Sequence, residues 1–219
     1  MDELKPTRII NSDHHSVIEF TRSYTRSTNS DCANAVSLYY AVRDRFRYDP
    51  YTIDLTVEGL RASRVLEINR GWCVSKAILL AACCRVSSIP ARLGFADVRN
   101  HLSTARMRER MGTDLFIWHA YTSILIDGTW RKATPAFNVE LCDKFRLRPL
   151  EFDGSADSIY HPFDLDGRKH MEYVKYRGEF SDVPLAAITD DMTRLHPGFS
   201  GTTVNGDFER EVSEETASF

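Results

Sequence analysis

The chain has 219 residues, 42% hydrophobic and 27% charged, a balance that suits one globular domain with a short tail. Twenty-eight basic residues stand against 31 acidic ones, for a net charge of −3, and no long Lys/Arg run marks a nucleic-acid footprint. The opening "MDELKPTRII" lacks the basic and apolar order of a signal peptide, no segment approaches the length of a membrane span, and five cysteines follow no disulfide spacing, so the expectation is a cytoplasmic protein with reduced thiols and no membrane partner.

In chain order, the residues up to Arg8 are polar and predict a frayed start, and "HHSVIEFTRSY" predicts a short strand. "SDCANAVSLYYAVRDRFRYDP" follows with a capping Ser30 or Asp31, apolar residues at Val36, Tyr39, Tyr40 and Val42, and a stop at Pro50, which together predict an amphipathic helix. "TVEGLRASRVLEIN" predicts a helical turn or loop. The next stretch, "RGWCVSKAILLAACCR", holds three of the five cysteines. From Cys73 the positions Val74, Ala77, Ile78, Leu80, Ala81, Cys84 and Val86 recur at helical spacing until "SSIP" ends the run, so a helix begins at or beside Cys73.

That placement suggests reactivity, because the free N–H groups and positive dipole end of a helix stabilise a thiolate and lower its pKa. Cys73 taken alone also fits a small buried hydrophobe, and Cys83 and Cys84 lie too deep in the helix to share its advantage.

"ARLGFADVRNHL" predicts a strand that opens into the charged stretch "STARMRERMGTD", read as a cleft loop. Two alternating runs, "HAYTSILI" and "TWRKATPAF", flank Asp127-Gly128 and predict a hairpin. With those two residues at the turn, opposed positions sum to about 255, which sets Tyr121 against Thr134 and puts Thr134 on the face of His119. "EFDGSADSIYHPFDLDG" is irregular, "HMEYVKYRGEF" predicts one more strand, and residues 196–219 read as a mobile polar tail after a domain spanning 1–195.

A helix-start cysteine needs a base, and a histidine on a neighbouring strand is the usual supplier. His119 begins such a strand. The order of helix "AVSLYYAVRDRFRY", "GWC" with its own helix, "RVSSIPARLGF" and "WHAYTSILIDGTWRKATP" resembles the transglutaminase-like superfamily over residues 35–137. The resemblance implies an α+β, papain-like core, with the catalytic Cys at a helix N-terminus packed on an antiparallel sheet that carries the His. It further implies Cys73 as nucleophile, His119 as general base, and thiol-dependent acyl chemistry on a peptide or protein amide without a cofactor. One position departs: where the family carries Asp-Pro, this chain has Thr134-Pro135. Thr134 could orient the imidazole without supplying negative charge, or Asp164 could serve instead.

Trp72 and Trp118 are candidates for cleft walls, and Asn69 for an oxyanion donor, although both residue types serve equally well in packing and turns. No Cys or His spacing supports a metal site. The alternatives to a peptidase, amidase or transglutaminase are an arylamine N-acetyltransferase-like enzyme, faintly suggested by "NRGWC", and a non-catalytic peptide-binding module of the same fold.

Overall fold

A computed structural model describes residues 1–101, 103–160, 163–196 and 206–216. Its centre is a helix, α5 (Cys73–Val86), in which every residue from Cys73 to Arg85 is buried. Such all-round burial explains why the run is apolar without a polar face. The helix packs on an antiparallel sheet of four strands in the order β5-β4-β3-β6, where β3 is Ala91–Asn100, β4 Leu115–Ile126, β5 Thr129–Ala133 and β6 Met171–Phe180. Thr122 Oγ1 donates to the Ala77 carbonyl and joins sheet to helix.

On its other sides α5 meets α1 (His15–Tyr24), α2 (Asp31–Arg45), α3 (Val57–Leu60) and α4 (Ala62–Ile68). The first of these corrects the strand expected over "HHSVIEFTRSY". Val17, Phe20, Thr21 and Tyr24 recur at helical spacing along one face, and the His14 side chain accepts from the Ser16 N–H as the cap. In α2, Ser30 is the cap and accepts from the Ala33 N–H. "TVEGLRASRVLEIN" forms α3 and α4, the first capped by Thr56 and the second ending at Asn69 in the left-handed conformation, φ 55°.

The hairpin keeps the expected register: Ile126 faces Thr129 and Thr122 faces Ala133. Asp127 and Gly128 turn it with φ of 49° and 78°, as a tight turn of this hand requires. The charged stretch after β3 contains a helix, α6 (Ala105–Met111), capped by Thr104 and buried through Met107. Two more helices follow, α7 (Val139–Phe145) and α8 (Leu185–Leu195). A short parallel pair, β1 (Arg47–Tyr48) with β2 (Arg70–Gly71), lies beside the start of α5.

Two buried charges fasten α5 to the chain around it. Lys76 Nζ donates to the carbonyls of Arg43, Phe46 and Ala136 at 2.7–2.8 Å, so all three ammonium donors are matched. Burial pushes its pKa down to about 7. The Arg85 guanidinium reaches the carbonyls of Lys5, Ala91 and Ser181. The Lys5 contact ties down the N-terminal residues expected to fray, which also form a 3₁₀ turn over Asp2–Leu4.

The tail differs most from expectation. Within 196–219, α9 (Phe208–Thr216) docks on the body. Phe208 and Val212 are buried, and the Phe208 ring lies 5.8–6.3 Å from those of Tyr48, Tyr51 and Phe145. Glu209 pairs with Arg47 and Lys144 at 2.9 and 2.7 Å, and Glu211 pairs with Arg106 at 2.8 Å. Composition hid this because two apolar residues one turn apart suffice to anchor a short acidic helix; residues 197–205 and 217–219 of that expectation lie outside the described residues. Deleting residues 207–219 should therefore lower the melting temperature by several degrees in thermal denaturation, at about 2–4 °C per kcal/mol lost. An unchanged melting temperature would show that α9 contributes nothing to the fold.

Candidate active site

The segment before α5 places Cys73. Asn69 reverses the chain after α4, and Arg70-Gly71 then pairs with β1. Gly71 must lack a side chain, since a Cβ there would meet Ser75 Oγ at 2.6 Å. That hydroxyl turns back to accept from the Trp72 N–H at 3.0 Å and caps the helix, leaving Cys73 as its first residue.

His119 is placed by a β-bulge. On β3, Ala96 pairs with His119 and Val98 with Phe116, so Ile117 and Trp118 together oppose the single residue Asp97. Cys73 and His119 consequently line one cavity, together with Trp72, Tyr48, Tyr160 and Phe137. This space is small, ≈ 50 Å³, enough for a few waters.

Electrostatics correct the expectation of an acidic thiol. Burial pushes the Cys73 thiol up to about 11, and the backbone N–H groups of Ala120, Val74 and Cys73 itself offset the rise only in part. The magnitudes explain the sign: a charge at a helix terminus gains about 0.3–2 kcal/mol, whereas full burial can shift a pKa by roughly 3–5 units, near 4–7 kcal/mol. The other buried thiols rise at least as far, Cys83 and Cys142 to about 12 and Cys84 further. His119 is pushed down to about 4 by burial and then by His170 nearby. At neutral pH the pair is therefore a thiol and a neutral imidazole.

The other expected members are placed differently. Thr134 is buried, and its hydroxyl makes no hydrogen bond to His119. It lies beside Tyr173, whose hydroxyl is pushed up to about 12 by burial against the opposing effects of the Tyr160 N–H and Thr134, and whose ring sits 6.5 Å from that of His119. Asp164 cannot serve as its substitute: its oxygens accept from the Asp166 and Arg168 N–H groups and from the Arg168 guanidinium, within its own turn. Asn69 lines a second, polar cavity with Arg47, Arg70 and Asp49, and Cys73 is not part of that lining. Among the described residues, no group of three or more His, Cys, Asp or Glu side chains could hold a metal ion.

Residues 18–135, more than half the chain, match the transglutaminase-like superfamily. The chain belongs to that superfamily. The matched span begins in α1 and ends one residue after Thr134, so this transglutaminase-like domain carries Cys73 and His119 within it. Two crystal structures are similar, both described as a "putative" protease. The first, a cysteine protease from Cytophaga hutchinsonii, has 16% identity and a TM-score of 0.47, over 80% of this chain and 62% of that one. The second, a protease from Parabacteroides distasonis, has 17% identity and a TM-score of 0.42, over 58% of this chain and 24% of that one. The chain thus spans less than two thirds of either. No curated protein matches it.

The candidate site rests on a group of residues that sequence patterns do not flag. Trp118, expected as a cleft wall, is absent from the cavity lining and holds the bulge from behind. Its backbone is left-handed, φ 57°, a conformation costing a bulky residue about 1–3 kcal/mol. Its N–H donates to Asp97 at 3.1 Å and its indole to Asp191 at 3.0 Å. Arg177 grips Asp97 through two bonds of 2.7 and 2.8 Å, pairs with Asp191, and stacks 4.7 Å from the Trp118 ring. Arg177→Met removes the cation shared by two carboxylates, and urea denaturation should show a loss of about 3–5 kcal/mol, the usual cost of stranding a buried charge. A loss below about 1 kcal/mol, the range of surface pairs, would mean that the network does not brace the bulge.

Proposed function

We propose that this transglutaminase-like domain performs acyl chemistry at an amide or peptide bond through Cys73 and His119. The observation that carries the reading is their convergence on one cavity from two rigid elements, the first turn of α5 and the bulge of β4. His119 Nε2 has no hydrogen-bond partner among the described residues, and a buried nitrogen left open in this way suits proton transfer with a substrate or a water. Since the resting pair is neutral, the chemistry proceeds by general base catalysis: the imidazole takes the thiol proton as sulfur attacks the carbonyl, then gives it to the leaving amine. The Cys73, Val74 and Ala120 N–H groups, already near the sulfur, are the natural donors for the developing oxyanion. Water as acceptor makes a hydrolase, and an amine makes a transglutaminase.

A second reading, a peptide-binding module without catalysis, is favoured by one observation. Among the described residues no carboxylate contributes to the His119 environment, whose largest influences are burial and another histidine. Thr134, the orienting residue expected from the sequence, makes no hydrogen bond to His119, and its role is open to a direct test.

Iodoacetamide labelling read by peptide mass spectrometry distinguishes the two readings, with the partly exposed Cys32 as a standard inside the same molecule. Cys73 should react ahead of Cys83, Cys84 and Cys142. His119→Ala should lower the ratio of Cys73 to Cys32 labelling at pH 8 by about a hundredfold, the lower end of a general-base contribution. A ratio unmoved by the substitution would leave Cys73 without a functional base. In Thr134→Asp, a carboxylate near the imidazole should raise the His119 pKa above its present low value, read from ring proton shifts. An unaltered titration would remove position 134 from the site.

A further inference from the structure

Among the described residues, the wall of the cavity around Cys73 contains no Asp, Glu, Lys or Arg. Four methionines line it, Met107 and Met111 from α6, Met171 from β6 and Met192 from α8, each no more than 7% exposed, with Phe116 and Trp72 beside them. Its polar members are Asn100, Cys73, His119 and the tyrosines at 48 and 160. None of them carries charge at neutral pH, since burial holds the thiol and both phenols protonated and the imidazole neutral. A charged acyl group entering this space would lose its hydration with nothing to replace it, whereas a hydrocarbon chain would bury surface. Methionine side chains are unbranched and repack readily, so a wall built of four can widen from ≈ 50 Å³ around a chain of variable length.

We propose that the pocket selects an uncharged, apolar acyl group, with Met107, Met111, Met171 and Met192 as its adjustable wall. This deepens the proposed acyl chemistry and rests on it. In the step itself, Cys73 sulfur bonds to the acyl carbon, the bond from that carbon to the leaving group breaks, and the thiol proton passes through His119 to the leaving group or to solvent. Water then cleaves the thioester and restores the thiol, and no oxidant or reductant takes part.

The probes are p-nitrophenyl acetate, p-nitrophenyl hexanoate and mono-p-nitrophenyl succinate. Each rate of Cys73 acylation is followed by nitrophenolate release and by mass, then divided by the rate with glutathione. Full burial gains about fourfold per methylene, so hexanoate should exceed acetate by at least tenfold, and succinate should fall below acetate. A flat series, or succinate as the fastest ester, overturns the proposal. A second arm does without the chemistry: hexanamide should raise the melting temperature of Cys73→Ser while succinamate leaves it unchanged. Equal shifts from the two amides overturn the pocket's selectivity. If no ester acylates Cys73 while hexanamide still stabilises Cys73→Ser, the catalytic reading fails and the apolar selectivity stands.

Discussion

Burying a helix on every side governs the rest of this molecule. Each residue of α5 from Cys73 to Arg85 is removed from water, so any polar group it carries has to be satisfied by the surrounding chain. Lys76 and Arg85 meet that demand through backbone carbonyls alone. In doing so they fix the end of α2, the residues that follow β5, the N-terminal segment and the loop after β6. The helix is thus the part against which the other elements are set.

The same burial sets the protonation of the candidate site. A cysteine that heads a buried helix gains the helix terminus and loses water, and the loss is larger. Its thiol stays protonated near neutrality, and a histidine held in the same dry space stays neutral. In the chemistry proposed for Cys73 and His119, the proton therefore moves during the reaction, and no ion pair stands at rest. A site of this kind discriminates by dehydration, which is why the uncharged wall around it bears on what the pocket accepts.

Features set by local pattern could be read from the residues. The repeat from Cys73 to Val86 marked α5, and Asp127-Gly128 between alternating runs fixed the hairpin register, so Ile126 faces Thr129 as the turn requires. The helix-start cysteine and the strand histidine followed from those two elements. What depended on distant partners was hidden. Nothing local marks Trp118 for a left-handed backbone, which is held by Asp97, Arg177 and Asp191 from three other elements. The thiol's direction of shift was misjudged because a sequence shows that a residue begins a helix but not how dry that position is. The helix spacing in α1 was open to view, in Val17, Phe20, Thr21 and Tyr24, and was obscured by the β-branched and aromatic residues that also favour strands. The docking of α9 hinges on two apolar residues amid acidic ones, too few to register in composition.

The central claim is that the pair is neutral at rest. The most direct measurement is the ¹⁵N shifts of the His119 ring, recorded across pH in the wild-type protein and in Cys73→Ser. The account predicts a neutral imidazole at pH 7, protonating only as the pH falls toward about 4, with nearly the same midpoint in both proteins because burial is the main cause. An imidazolium at pH 7 that becomes neutral in Cys73→Ser would reveal a thiolate–imidazolium ion pair and contradict it.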